Sequence, residues 1–464
     1  MKVCMFTLGT RGDVQPYVVL GRALIHAGHS AVLCTGASFR SLVEAYGISF
    51  APTSSDLMAL SQTKEGRAVL EHPVKNLPLA MKLSREVTTP AYRKTLEEFW
   101  AAAGDADVIL YHPKALGAVD IARYYGICCV SLPPVPITYP VSEFPNLALT
   151  TRNLGSFLNR KSYGLNALAE KGQMEVINDF RRKVLGLENR KAGIYAFCSE
   201  KGEIPTVYPV SPLLFPEVKS WEGHVLLPGF FFLEEGGGKQ KCQIEKEKVM
   251  GDQKEKEKEK VLENQKEKEA GADKKEKERT QLPPEVQSFL EGGKKPVVIT
   301  FSSMPLEKTE SFLMALQNAL LQSGDRAIVL TGSSGLHFSG DERILPIPFL
   351  PHSLLFPNVK GVMHHGGAGT MAEALRAGVP QVIIPFTADA PFWAKRLQSL
   401  SIGLPPIPRG KVSAKALALA FAQMEEDGVR KRAERMGELI RREDGPGDTV
   451  RYLEEVCRKK GGDG

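Results

Sequence analysis

Residues 359–377 read VKGVMHHGGAGTMAEALRA, and this stretch decides the fold. Val359 to His364 is an apolar run of strand length, and Thr370 to Ala377 reads as a helix. Between them His364-His365-Gly366-Gly367-Ala368-Gly369-Thr370 carries three glycines and one alanine. Such a turn at a helix N-terminus exposes successive backbone N–H groups and suits a phosphate or diphosphate. Two histidines at the strand end would add donors for the same oxygens. The bland alternative is a tight turn with two incidental histidines, but the pattern is far more specific than a lone G-x-G-x-x-G.

The alternation of strand and helix continues on both sides. Val297 to Phe301, Ala327 to Thr331 and Gln381 to Pro385 read as strands, with helices at Thr309 to Ser323 and Pro391 to Leu400. Near the start, Val3 to Leu8 and Ala31 to Thr35 read as strands, with helices at Val14 to Ala27 and Ser38 to Tyr46. Val108 to Tyr111 and Cys128 to Leu132 are strands around a helix from Leu116 to Tyr125. This order predicts an α/β protein with parallel sheets and right-handed crossovers. Two such halves predict two doubly wound domains facing one central cleft, with ligands outside the carboxyl ends of the strands.

Between the halves, Lys239 to Thr280 is almost entirely Lys, Glu, Gln and Asp. It has no apolar face to offset the entropy of ordering and reads as a flexible insert. The expected domains are therefore residues 1–238 and 281–464, joined by residues 239–280. A length of 464 residues also favours two domains. The formal charge of +6 is small for that length and gives no sign of a nucleic-acid partner. The chain shows neither a bilayer-length apolar run nor a signal peptide, since the first apolar stretch runs straight into Gly9 and Gly12. Seven cysteines without metal-ligand spacing point to reduced thiols. The expected place is the cytoplasm, with peripheral contact to a membrane surface allowed.

A second loop, Gly9-Thr10-Arg11-Gly12-Asp13, leaves the first strand and opens a helix. Asp13 stands where that helix begins, so a plain N-cap role is one reading. The other is chemical, because its carboxylate would lie at the ligand-facing edge of the sheet. Asp105-Ala106-Asp107 matches a metal-binding D-x-D, yet it precedes an apolar strand and reads as a lead-in. His112 and His72 are isolated in sequence and read as structural or exposed.

The segments GTRGDVQP, PVVITFSSMP, LPHSLLFP, HHGGAGT and LRAGVPQVIIPFTADAPFWAKRL resemble those of GT-B glycosyltransferases. They are most similar to the family-28-like branch, which holds sterol 3-beta-glucosyltransferases and bacterial enzymes acting on antibiotic aglycones. The resemblance implies two Rossmann-like domains, the N-terminal one for the acceptor and the C-terminal one for a nucleotide-sugar donor. It implies that Asp13 is the general base, within an acceptor loop of Gly9, Thr10, Arg11 and Gly12. For the donor it implies Ser303 near the phosphates and His352, with Leu350 and Pro351, at the nucleobase. It further implies His364, His365 and the backbone of Gly366, Gly367, Ala368, Gly369 and Thr370 at the diphosphate, and Asp389 at the sugar hydroxyls. Three positions depart from the pattern. Ser302 replaces a glycine, Ala390 replaces a glutamine, and Gly332-Ser333-Ser334 replaces a segment that often holds a tryptophan.

The implied reaction is inverting, metal-independent transfer of a hexose from a UDP-sugar, with no cofactor. Its acceptor would be a hydrophobic alcohol such as a sterol. Leu147 to Leu187 mixes apolar and basic residues, which fits a lipid acceptor at a membrane surface. Two alternatives stay open: a non-sterol aglycone, and an inactive sugar-nucleotide-binding homologue.

Overall fold

The computed structural model describes residues 1–71, 76–147, 149–193, 198–199, 202–234, 281–301, 309–332, 340–386 and 389–462. The charged insert, His72, Ser302, Ser303 and Ser333-Ser334 lie outside the described residues. The chain forms two compact units, Met1–Leu233 with Arg442–Gly464, and Glu234–Arg441.

The first unit is built on a sheet of strands β1 (Lys2–Phe6), β2 (Ser30–Gly36), β3 (Ser49–Thr53), β4 (Val108–Tyr111) and β5 (Cys128–Ser131). After a small hairpin of β6 (Cys198–Ser199) and β7 (Gly202–Glu203), the short strands β8 (Thr206–Val207) and β9 (Val225–Leu226) extend the same sheet. The spatial order is β3-β2-β1-β4-β5-β8-β9, with parallel pairing throughout. A central parallel strand is covered on both faces, which is why β1 is apolar at successive positions and not alternating. Val3 and Met5 enter one core, while Cys4 and Phe6 enter the other. Phe6 stacks on Phe99 of the helix Thr89–Ala102, with ring centroids 4.2 Å apart. The helix Arg11–His26 covers the opposite face with Val14, Tyr17, Val18, Leu20 and Leu24.

The last helix, Gly445–Gly462, belongs to this first unit, contrary to the expected boundary of 281–464. Val450 and Leu453 are buried in the same core as Val3 and Met5. Polar bonds reinforce the placement: the Ser211 hydroxyl donates to Glu443 at 2.5 Å, and His29 meets Glu454 at 2.9 Å. Burial of the apolar stripe against the nearer open sheet face outranks sequence order.

The second unit holds β10 (Val297–Thr300), β11 (Ala327–Leu330), β12 (Ile344–Ile347), β13 (Gly361–His364) and β14 (Gln381–Ile383). Their order is β12-β11-β10-β13-β14, again all parallel. In both sheets the strand order reverses direction once, between β1 and β4 and between β10 and β13. Crossovers leave opposite faces at such a point, and a crevice opens outside the strand carboxyl ends. The Gly9–Asp13 loop follows β1, and the HHGGAGT turn follows β13.

Candidate active site

Asp13 is the third residue of its helix, not its cap. The cap is Thr10, in extended backbone, and Asp13 Oδ2 accepts the Thr10 backbone N–H at 2.8 Å. This is the acidic half of a capping box. Two further donors come from the neighbouring strand end. His112 Nε2 lies 3.1 Å from Asp13 Oδ1, and Lys114 Nζ lies 3.0 Å from Oδ2. They arrive there because β4 pairs with β1 in parallel, Tyr111 opposite Phe6, so His112 leaves the sheet beside the Gly9–Asp13 loop. The sequence reading of His112 is structural or exposed; the sheet instead makes it a buried partner of Asp13.

The protonation of this group follows from its bonds. His112 Nδ1 accepts the Lys114 backbone N–H at 3.0 Å, so the neutral ring carries its proton on Nε2 and donates it to Asp13. Burial holds His112 below its ordinary pKa despite the adjacent carboxylate. Burial alone would raise the Asp13 pKa. The His112 bond, the Lys114 charge and the Thr10 amide outweigh it and hold Asp13 well below the usual carboxylate range. Asp13 is therefore an ionised acceptor at working pH, 19% exposed, at the switch point of the first sheet.

In the second unit the helix Ala368–Ala377 starts after its cap Gly367. Met371 is the first residue whose N–H finds an intrahelical acceptor, the Gly367 carbonyl at 3.0 Å. The N–H groups of Ala368, Gly369 and Thr370 therefore have no partner within the helix. Gly366 has φ +96, and a Cβ there would fall 2.7 Å from the Ala390 methyl. The turn thus requires glycine at 366, and it explains the departure at 390: Ala390 is buried, with its methyl filling the space against Gly366.

The two histidines of the turn have different surroundings. His364 is fully buried; Nε2 lies 2.9 Å from Gln381 Oε1, and Nδ1 accepts the Gly366 N–H at 3.2 Å. Both ring nitrogens are engaged inside the protein, so His364 shapes the turn and is not a diphosphate donor. Burial, aided by the nearby His365, lowers its pKa to about 3. His365 is half-buried, bonded to the Thr300 backbone, with a buried Nδ1 that meets no partner among the described residues. Burial lowers its pKa to about 4. His365 keeps a place in the candidate site, as a neutral ring and not a cation.

These two rings make the fold sensitive to acid. Each folded-state pKa lies below the ordinary value of 6.5, so the native protein binds fewer protons than the unfolded chain. Stability is then lost as pH falls below 6.5, and continues to fall towards 4 for His365 and 3 for His364. Each histidine contributes about 1.4 kcal/mol per pH unit within its window. Thermal melts across pH 7 to 5 should show the decline, and a His365→Asn variant should show a shallower one. Parallel curves for parent and variant would contradict this account.

Asp389 precedes the helix Ala390–Ser399, and its Oδ2 accepts the buried Trp393 indole N–H at 2.7 Å. One carboxylate oxygen thus anchors the helix. His352 opens the helix His352–Leu355 and stacks on Phe356 with centroids 4.5 Å apart. It is close enough to His364 to help lower that pKa. Asp105 and Asp107 both bind Lys2, at the amino end of β4 and away from Asp13. Sequence reading missed His112, Lys114, Gln381 and Trp393. The available signal was topological: a residue just after β4 neighbours the loop after β1 in any sheet whose order reverses there.

Comparison with known proteins agrees with this architecture. Residues 3–117 match the glycosyltransferase family 28 N-terminal domain. Residues 332–456 match the erythromycin biosynthesis protein CIII-like C-terminal domain. The sterol 3-beta-glucosyltransferase UGT80A2 of Arabidopsis thaliana is 28% identical over 97% of the chain, which spans 65% of that protein's length. O-mycaminosyltylonolide 6-deoxyallosyltransferase of Streptomyces fradiae is 26% identical over 98% of the chain and 97% of its own. The crystal structure of the kitacinnamycin glycosyltransferase superposes with a TM-score of 0.64 at 17% identity, covering 98% of both chains. Two switch-point loops on two parallel sheets give the chain the fold of the GT-B glycosyltransferases, and its two halves are similar to domains of glycosyltransferase family 28 and of the erythromycin CIII-like proteins.

Proposed function

We propose that the protein transfers a hexose, glucose first among them, from a UDP-sugar to the hydroxyl of a sterol or other lipid alcohol. Transfer would invert the anomeric carbon and need no metal ion. The observation that carries this reading is the ionised Asp13, bonded by His112 and Lys114 at the switch point of the first sheet. A carboxylate so bonded is a weak base, but it need only take the proton as the new C–O bond forms. Lys114 is half exposed and is the donor that an arriving hydroxyl can most easily replace on Oδ2. As the acceptor oxygen attacks, the bond from the anomeric carbon to the diphosphate breaks. The N–H groups of Ala368, Gly369 and Thr370, at the positive end of their helix, would meet the charge that develops on the leaving group. His365, whose neutral ring spends its N–H on the Thr300 backbone, would shape the turn beside the diphosphate. Asp389 would meet sugar hydroxyls from the start of the helix Ala390–Ser399.

The acceptor class has a second reading. The Streptomyces fradiae relative acts, by its name, on O-mycaminosyltylonolide, and it matches along nearly its whole length. A polyketide-like aglycone is therefore the rival acceptor. The inactive-homologue reading is weakened by the physical account of Ala390, whose methyl fits the Gly366 turn. The test is mass-spectrometric detection of product from UDP-glucose against sterols, other lipid alcohols and macrolide aglycones, with EDTA present. Sterol glucoside of inverted anomeric configuration is the expected product. Product from macrolides alone would reassign the acceptor, loss of product with EDTA would overturn the metal-free mechanism, and no product from UDP-glucose or from a panel of other nucleotide sugars would favour the inactive homologue.

A further inference from the structure

In the first unit, one short stretch holds an unusual share of exposed apolar surface. Leu149, Leu154, Phe157, Leu158 and Leu168 are all exposed, Phe157 at 69% and Leu168 at 65%. Every residue from Arg152 to Leu158 is exposed. Isolated exposed leucines are ordinary, but a contiguous group marks an interaction surface.

The exposed charges within this stretch are of one sign. Arg152, Arg160, Lys161 and Lys171 are exposed. The single carboxylate between Leu149 and Lys171 is Glu170, which is buried and bound to Arg190. Lys161 lies one helical turn beyond Phe157, with its Nζ 4.7 Å from the ring centroid. On this helix Phe157 and Lys161 therefore share a face.

This surface is held in place from beneath. Asn159 is fully buried and spends its whole amide on the loop that precedes its helix. Its Oδ1 accepts the Leu154 N–H at 3.0 Å, and its Nδ2 donates to Asn153 Oδ1 at 2.8 Å and to the Ser142 carbonyl at 2.9 Å. Asn153 Oδ1 also accepts the Gly155 N–H at 2.8 Å. The Ser162 hydroxyl accepts the Asn146 N–H at 2.7 Å. A buried, fully bonded amide fixes the backbone while the leucines and phenylalanine point out. Water gives no reason to build such an arrangement, whereas an amphipathic interface does.

We propose that residues 149–171 dock the protein on an anionic lipid surface, with Phe157, Leu158 and their neighbours in the acyl boundary and the four cations among the headgroups. Leucine and phenylalanine beside arginine and lysine, with no exposed carboxylate, is the composition that such a surface recognises. The inference deepens the lipid-alcohol reading, since that substrate resides in a bilayer. It is tested without any acceptor, so that it can fail or stand by itself.

The experiment is flotation of the full chain with vesicles of phosphatidylcholine alone and of equimolar phosphatidylcholine and phosphatidylserine. The parent should float with the mixed vesicles and release as salt rises. The Phe157→Ser, Leu158→Ser double variant should bind at least about tenfold more weakly, since both side chains leave apolar surroundings. The Arg160→Gln, Lys161→Gln variant should lose roughly thirtyfold on mixed vesicles. Both pairs are on the surface, and unchanged thermal melts would verify the fold. Failure of the parent to float, or equal binding of parent and variants, overturns the proposal. So does dimerisation of the parent without vesicles that the serine variant abolishes, which would give the face to a second copy. Vesicle binding without transfer to any lipid alcohol would leave this surface standing and remove the acceptor reading.

Discussion

Replacing Asp13 with asparagine should lower turnover by roughly a hundredfold or more, because an amide cannot take the acceptor proton. The structure also revises what the substitution does to the fold. Asparagine is a good helix cap, so a mere capping role would leave stability intact. Asp13 is instead the third helical residue, and its two oxygens accept from Thr10, His112 and Lys114. An amide offers one acceptor oxygen in their place and turns an NH2 towards the other donors. About 1–3 kcal/mol of stability should be lost with the charge-assisted bonds. The decisive measurement is kcat with saturating substrates, well below the melting temperature of the variant, beside calorimetry with UDP. The HHGGAGT turn proposed to hold the diphosphate lies in the other unit, so UDP affinity should stay within a few-fold. If turnover also stays within a few-fold while the melt falls, Asp13 is a structural member of the capping box and the mechanism loses its base.

Gly369→Asp should weaken UDP binding by roughly a hundredfold or more, the cost of setting one anion against another at close range. The position is chosen for what it does not disturb. Gly369 is exposed, in helical backbone, and a Cβ there would have no heavy atom within 4 Å. An acidic residue in the first turn of a helix is favourable to the helix by about 0.3–1 kcal/mol. The thermal melt should therefore hold or rise while nucleotide affinity collapses, a combination that damage to the fold cannot mimic. Gly369→Ala, with a side chain but no charge, should change affinity far less. Unchanged UDP affinity in the aspartate variant would show that the N–H groups of Ala368, Gly369 and Thr370 do not receive the diphosphate.

The HHGGAGT turn was legible in the sequence because its geometry is local. A strand, two glycines and a helix start within eight residues fix the direction of the N–H groups, whatever packs around them. The same holds for the alternation of strands and helices, since period and turn chemistry act over neighbouring residues. Tertiary structure alone decided the rest. His112 and Lys114 reach Asp13 across about a hundred residues because β4, not β2, lies on the far side of β1 at the switch point. The last helix joined the first unit because Val450 and Leu453 found an open apolar face there, a matter of burial that sequence order does not encode. His364 and His365 are identical and adjacent in sequence, yet one is a buried pin and the other faces the turn. Their difference comes from Gln381 on β14, which only sheet pairing brings alongside β13. Protonation state and bonding partner depend on what surrounds a side chain in space. The sequence thus determined the glycine turns and the strands and helices they join, and the packing of the sheets decided which side chains stand beside those turns.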